Sequence, residues 1–190
     1  MCSRFELTAG AGDISRRFSL AAPPQLANAS VSRPTDPALV IAPEGPRLLG
    51  WGLSVEWDSK PLINARAETL SRKKTFRPLL ECRCLVPATA YFEWRKDGAT
   101  RRKNRIGLAD GMLFAFAGLF DGERFTIVTC PPAASIAHIH DRMPVLLPAD
   151  AEARWLDPGV AFAGVSGLLV PYQAGRLRAW EEAPPPDLFA

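Results

Sequence analysis

Apolar residues fall along this chain in short bursts separated by charged residues, glycine and proline. Residues 4–7, Arg-Phe-Glu-Leu, can begin a strand, and residues 13–18 spell a short helix with Asp13 as its N-cap. Residues 21–46 are rich in Pro, Ala and Ser and read as loop, with a brief strand at 39–41. A strand resumes at 48–53 and ends near Trp57. Residues 63–70 lead into a helix reaching about Arg72, and 76–80 form a second short helix. The middle of the chain is strand-like. Residues 82–86 alternate, and Ala90-Tyr91-Phe92-Glu93-Trp94 has the aromatic bias of a strand. Asp97-Gly98 turns the chain toward a strand at 106–108. Residues 112–120 are too apolar to be exposed on both faces, Asp121-Gly122 is a hairpin signal, and 125–129 return as its partner. A short helix at 131–137 opens on proline. Extended residues 145–147 follow, then a helix at 150–156 capped by Asp150, and final short strands at 168–170 and 177–178. The pattern predicts an α+β domain with a curved, barrel-like sheet, mostly antiparallel or mixed, and short flanking helices. Without long alternating helices a doubly wound parallel sheet does not fit.

Length sharpens this to one domain over residues 1–190, long enough for a substantial core. Eighteen prolines, about twice the usual share, favour many short elements over long helices. The net charge of +3 permits an anionic partner without demanding one. The four cysteines are scattered and no secretory sequence precedes them, so reduced thiols in a cytoplasmic chain are expected. No run approaches the roughly 18 apolar residues of a membrane span. A proline-rich stretch at 183–186 closes the chain.

The candidate chemistry begins at Cys2. Once methionine is trimmed, Cys2 carries a free amine beside its thiol, with reference pKa values of about 8 and 8.5. Such an aminothiol condenses with an aldehyde to a Schiff base, which the sulfur closes into a thiazolidine. An N-terminal nucleophile can also attack an acyl group. Alternatively, Cys2 is a small residue opening a buried strand.

Asn64 and Arg66 share a face, where Asn can hold a carbonyl or hydroxyl and Arg can clamp phosphate. They equally fit a helix cap beside a solvated surface carrying Glu68. Glu93 lies among aromatics, with Tyr91 on its face and Phe92 and Trp94 on the other. Desolvation would raise its pKa toward general acid–base use, unless the strand exposes it. His138-Ile139-His140-Asp141-Arg142 holds both histidines, either a proton-shuttling pair or a surface pair. Cys82-x-Cys84 and His138-x-His140 offer four zinc ligands, but one-residue spacing is unlike structural zinc sites, and no metal or other cofactor is expected. Basic residues 72–74, 77, 95–96, 101–103 and 105, interleaved with Trp51, Trp57, Phe92 and Trp94, suggest a groove for single-stranded nucleic acid.

Taken in order, these stretches resemble the SOS-response-associated peptidase family, which includes abasic-site processing proteins. The resemblance spans residues 1 to about 172, leaving 173–190 as a tail. It rests on Met1-Cys2-x-Arg4-Phe5, Trp51-Gly52-Leu53, residues 63–69 (Ile-Asn-Ala-Arg-Ala-Glu-Thr), residues 83–87 (Arg-Cys-Leu-Val-Pro), Phe92-Glu93-Trp94, Ala117-Gly118-Leu119 and residues 140–144 (His-Asp-Arg-Met-Pro). It implies a single-domain, mostly β protein that binds single-stranded DNA in a cationic cleft, and nothing in the sequence demands more than a monomer. There Cys2 would form a thiazolidine crosslink with the opened sugar of an abasic site, with possible lyase and peptidase activity. Asn64, Glu93 and His140 are the implied catalytic partners. Arg66, with Arg4, is implied to hold flanking phosphates. Trp51 and Trp94, as stacking rings, and Arg142, which could contact phosphate or orient a carboxylate, are further expected DNA contacts, and the bound form would sit on the nucleoid. His138 lies outside the family pattern. Ser3 stands where the family has glycine, and residues 30–35 (Ser-Val-Ser-Arg-Pro-Thr) depart from its usual loop. An N-terminal-nucleophile thiol peptidase competes with this reading, although only Met1 precedes Cys2 and no long leader is expected. A non-catalytic module for single-stranded DNA is a third reading.

Overall fold

The central strands bury both faces, so their sequences run apolar rather than alternating. A computed structural model shows why for residues 2–173 and 175–183; Met1, Ala174 and residues 184–190, with most of the proline-rich end, lie outside the described residues. The first half runs β1 (Phe5–Glu6), α1 (Ala11–Arg17), β2 (Val31–Ser32), β3 (Pro37–Ala42), β4 (Gly45–Trp51), β5 (Leu53–Val55), β6 (Asp58–Leu62) and β7 (Asn64–Arg66). The middle holds β8 (Arg83–Ala88), β9 (Ala90–Asp97), β10 (Thr100–Leu108), β11 (Phe114–Phe120) and β12 (Arg124–Cys130). The chain then forms β13 (Met143–Pro144), β14 (Leu146–Leu147), α2 (Ala149–Leu156), α3 (Phe162–Val165) and β15 (Leu177–Glu181).

β3, β4, β12, β11 and β8 close on themselves as a five-stranded barrel, antiparallel except where β4 meets β12. β7 extends the parallel pairing with β12, and a second, antiparallel sheet runs β15-β10-β9-β1-β2. The sheet is thus mixed and barrel-like, as the pattern predicts. Closure depends on Gly118, opposite Cys84 on β8 and Ile127 on β12. A Cβ there would lie 2.8 Å from the Cys84 sulfur and 3.0 Å from Val86. Phe5 meets Trp51 edge-on at 5.0 Å and Phe116 at 6.0 Å, tying the second sheet to the barrel core.

Arg83, fully buried, anchors the helical cover. Its guanidinium donates to the carbonyls of Trp155, Asp157 and Val160 at 2.7 Å each, while the Trp155 indole donates to the Cys84 carbonyl at 3.0 Å. Gly52, at φ +119°, turns the chain out of β4 so that Pro61 of the β5–β6 hairpin folds back where a side chain would stand.

Several expectations need correction. α1 begins at Ala11 behind Gly10 and α2 at Ala149 behind Pro148, so Asp13 and Asp150 sit inside first turns, where carboxylates also suit the helix dipole. The helix expected through 63–72 is strand β7 followed by one 3-10 turn, Ala67–Thr69, because pairing with β12 outweighs local helix preference. Residues 21–46 hold β2, all of β3 and the start of β4, and 168–170 form no strand. Among the described residues no helix is long and apolar enough to cross a membrane.

Gly118→Ala is expected to lower unfolding free energy by about 1–3 kcal/mol through overpacking. Adding Cys84→Ala should return part of that loss in chemical denaturation. Simple additivity of the two losses would show that closure does not turn on this contact.

Candidate active site

The amino-terminal segment is strapped between β7 and β9. Asn64, fixed by the Asn64–Ile127 pairing, donates its amide to the Cys2 carbonyl at 2.8 Å. The Arg4 carbonyl accepts the Phe92 N–H at 2.9 Å and the Cys2 thiol at 3.5 Å. Cys2 is 0% exposed, and Glu93, on β9, is 3% exposed. His140 arrives from the segment after the 3-10 turn Ala134–Ile136, its Nε2 3.9 Å from Glu93 Oε2.

Burial dominates the proton chemistry. It pushes Glu93 up to about 7, with Asp141 adding and the positive amino terminus opposing. A carboxyl there is half-protonated at neutral pH and can both give and take a proton. Burial also lowers His140, the amino terminus adding to that effect, and drives the Cys2 thiol far upward, the Glu93 charge adding. The Arg142 N–H donates to His140 Nδ1 at 3.0 Å, which places the neutral ring's proton on Nε2, toward Glu93. Asp141 Oδ1 stands 2.8 Å from Nδ1, ready to hold a second proton.

Arg142, expected at DNA, is committed within the protein. It grips Glu68 through two bonds of 2.6 and 3.0 Å and the Thr129 carbonyl at 2.7 Å, fastening the His140 loop to the turn beyond Asn64 and Arg66. The pairing holds Glu68 below the usual carboxylate range. Trp51 is likewise a correction: 0% exposed, it stacks on Phe125 and donates to the Ile63 carbonyl, so no base can reach its ring. Glu68 escaped the sequence reading because its partner lies 74 positions away and local spacing paints it as solvated surface.

Beyond the pocket, Arg66 is exposed and Arg4 packs its guanidinium 5.3 Å over the Trp94 ring. A solvent-open cavity of about 610 Å³ runs from Glu93 and His140 past Ser3 and Trp94 to Lys96 and Arg101. Ser3 lies outside the left-handed region, so its Cβ brings no backbone strain. Trp57 tops the β5–β6 hairpin, 68% exposed. The expected basic groove divides. Arg95, Arg102, Lys103 and Arg105 pair with Glu181, Asp97, Glu182 and Glu6, whereas Arg72, Lys73, Lys74 and Arg77 are exposed with no carboxylate bridge among the described residues. His138 lines a different hollow, with Arg95 and Arg178. Cys84 is sealed in the core, and among the described residues no three His, Cys, Asp or Glu gather as metal ligands.

The chain matches the family model described as SOS response associated peptidase (SRAP) over residues 1–182. It is 37% identical to the abasic site processing protein YoaM of Bacillus subtilis over 205 aligned positions, covering 95% of this chain and 90% of the relative. It is 34% identical to the abasic site processing protein YedK of Escherichia coli over 116 positions, 56% of this chain and 52% of that one. A crystal structure of a Bacteroides thetaiotaomicron protein superposes with a TM-score of 0.84 at 26% identity, covering 95% and 91% of the two chains. One from Bordetella bronchiseptica reaches 0.83 at 24% identity, covering 96% and 100%.

The raised Glu93 value makes a stability prediction. Between about 4.5 and 7 the folded state holds a proton that the unfolded chain has released, so Glu93's contribution is present below that window and lost as pH rises through 7. Glu93→Gln removes the dependence. Its Tm should exceed the unmodified protein's by a few degrees at pH 8 and approach it at pH 5. Melting curves that run parallel from pH 5 to 8 would show that Glu93 is not held protonated.

Proposed function

This chain belongs to the SOS response associated peptidase (SRAP) family, and from that footing we propose that it captures abasic sites in single-stranded DNA as a covalent thiazolidine. Carrying the reading is the meeting of an amino-terminal cysteine, gripped at its carbonyl by Asn64, with a carboxyl titrating near neutrality. Relatives named as abasic site processing proteins supply the substrate class.

The reaction starts after methionine removal. The Cys2 amine adds to the C1′ aldehyde of the ring-opened deoxyribose. Glu93 donates a proton to the departing oxygen, which leaves as water, and a protonated Schiff base remains beside the Glu93 carboxylate. The Cys2 sulfur then adds to the iminium carbon, the C=N electron pair becomes the nitrogen lone pair, and the thiol proton passes to the Glu93 carboxylate, which restores the carboxyl. Aldehyde and aminothiol have become thiazolidine and water, with no cofactor. His140 serves the opened sugar's hydroxyl and the reverse step, helped by its Nε2 proton. The Glu93 carboxylate also suits base-catalysed strand cleavage from the imine. Arg66 and Arg4 take flanking phosphates, and the exposed Trp57 and half-buried Trp94 offer rings to unstacked bases.

The test uses protein whose methionine loss is verified by intact mass. Mixed with single-stranded DNA bearing one abasic site, it is expected to give a shifted band on a denaturing gel without reductant. Cys2→Ala should give none, and Glu93→Gln should slow capture on the order of 10²-fold while leaving noncovalent binding intact. No band from a mature Cys2 terminus would overturn the reading. Peptide hydrolysis lost in Cys2→Ala would then favour a thiol peptidase, and salt-sensitive binding indifferent to Cys2 a plain DNA-binding module.

A further inference from the structure

Tyr91 is a polar group in the pocket to which the reaction above gives no part. It stands two residues before Glu93 on β9, on the same face of the strand. It pairs across the ladder with Phe5, next to the Arg4 carbonyl to which both Phe92 N–H and the Cys2 thiol are tied. The side chain is 0% exposed, and its ring meets Phe116 edge-on at 5.9 Å, which prevents it from swinging outward. Its hydroxyl nevertheless has no hydrogen-bond partner among the described residues. That is out of character here, since the buried indoles of Trp51 and Trp155 each reach a carbonyl. A sealed donor without a partner is costly, and sites that keep one usually use it.

Three groups lie within electrostatic reach of the phenol: Cys2, Glu93 and Cys130. Cys130 is buried beside the Arg142–Glu68 pair, and Glu93 already faces His140. Cys2 sulfur acts as donor to one carbonyl, which leaves its lone pairs for a donor. Resting on the crosslinking assignment of this pocket, we infer that the Tyr91 hydroxyl becomes the hydrogen-bond donor to the Cys2 sulfur when that sulfur gains charge during ring closure. The bond costs nothing in atoms or electrons. As the sulfur's proton leaves, the O–H···S bond forms, and it is given up again once the sulfur is a thioether. Such a donor matters most in a dry pocket, where water cannot stabilise thiolate and the Glu93 charge opposes it.

The decisive measurement is the pH titration of Cys2 in methionine-trimmed protein labelled with [13Cβ]cysteine, the resonance assigned with Cys2→Ser. Tyr91→Phe is expected to shift the Cys2 midpoint upward by roughly one pH unit, about ten-fold less thiolate at fixed pH, as for loss of a hydrogen bond to a charged group. Global replacement of tyrosine by 3-fluorotyrosine, a stronger donor, should shift it downward, so the inference does not hang on one variant. With abasic DNA, Tyr91→Phe should accumulate cyanoborohydride-trappable Schiff base and close the ring about ten-fold more slowly. Its rate of imine formation and its affinity for DNA carrying a tetrahydrofuran site, which has no aldehyde, should stay unchanged. Unmoved Cys2 midpoints in both substituted proteins would overturn the inference, as would equal slowing of both chemical steps, the mark of a merely structural role. Shifted midpoints in a protein that forms no DNA adduct would uphold the Tyr91–Cys2 bond and remove the crosslinking assignment instead.

Discussion

Desolvation of two ionisable groups, the Cys2 thiol and the Glu93 carboxyl, is the constraint to which the rest of this protein answers. Taking such groups from water is unfavourable, and a fold keeps them dry only if its walls cannot relax and admit solvent. The closed ring of β3, β4, β12, β11 and β8 supplies one wall, and β9 supplies the other. The amino-terminal segment lies between them, held by the Asn64 amide on one side and the Phe92 N–H on the other. Loosening either bond would rehydrate the carboxyl and return it toward an ordinary carboxylate.

Arginines do much of the holding, and they do it from inside. Arg83 satisfies the carbonyls that end α2 and so keeps the helical cover on the barrel. Arg142 binds Glu68 and Thr129, so the loop bearing His140 and the strand bearing Asn64 move as one body. A guanidinium suits both tasks because its planar fork bonds several acceptors in fixed geometry. Removing one partner would strand a buried charge, a larger penalty than the pair's own net worth.

This division explains which parts of the protein were legible in its sequence. Hairpin signals such as Asp121-Gly122 and the aromatic run at 90–94 gave strands correctly, because period and turn chemistry are local. The candidate cluster of Cys2, Asn64, Glu93 and His140 was picked out through its order of motifs rather than through any single residue. Glu93 among aromatics announced its own desolvation. Trp51 was expected at the DNA surface but is buried, and Arg142 spends its guanidinium on Glu68, because an indole or a guanidinium looks the same in sequence whether it faces solvent or Phe125 and Glu68. The helix expected through 63–72 failed for a related reason. Its competitor was a parallel pairing with β12, some 60 residues distant, which no local propensity encodes. The split basic run shows the same limit, since Arg95 and Arg105 are neutralised by Glu181 and Glu6 from far along the chain.

The mutual influence of Cys2 and Glu93 also orders the proposed chemistry. Each negative charge opposes the other in a dry pocket, so thiolate and carboxylate are not favoured together. Near neutrality the carboxyl is half-protonated, the form able to donate when the amine's adduct must shed water. Having donated, it is a carboxylate beside a thiol, able to accept the thiol proton as the sulfur closes on the imine. The carboxyl therefore returns to its starting state after each turn of the two-step sequence, and the second step follows from the first without a proton from bulk solvent. A carboxyl titrating near 4 would have been ionised before the aldehyde arrived and could not have opened the cycle. The burial that destabilises the fold as pH rises is thus the same burial that arms the site.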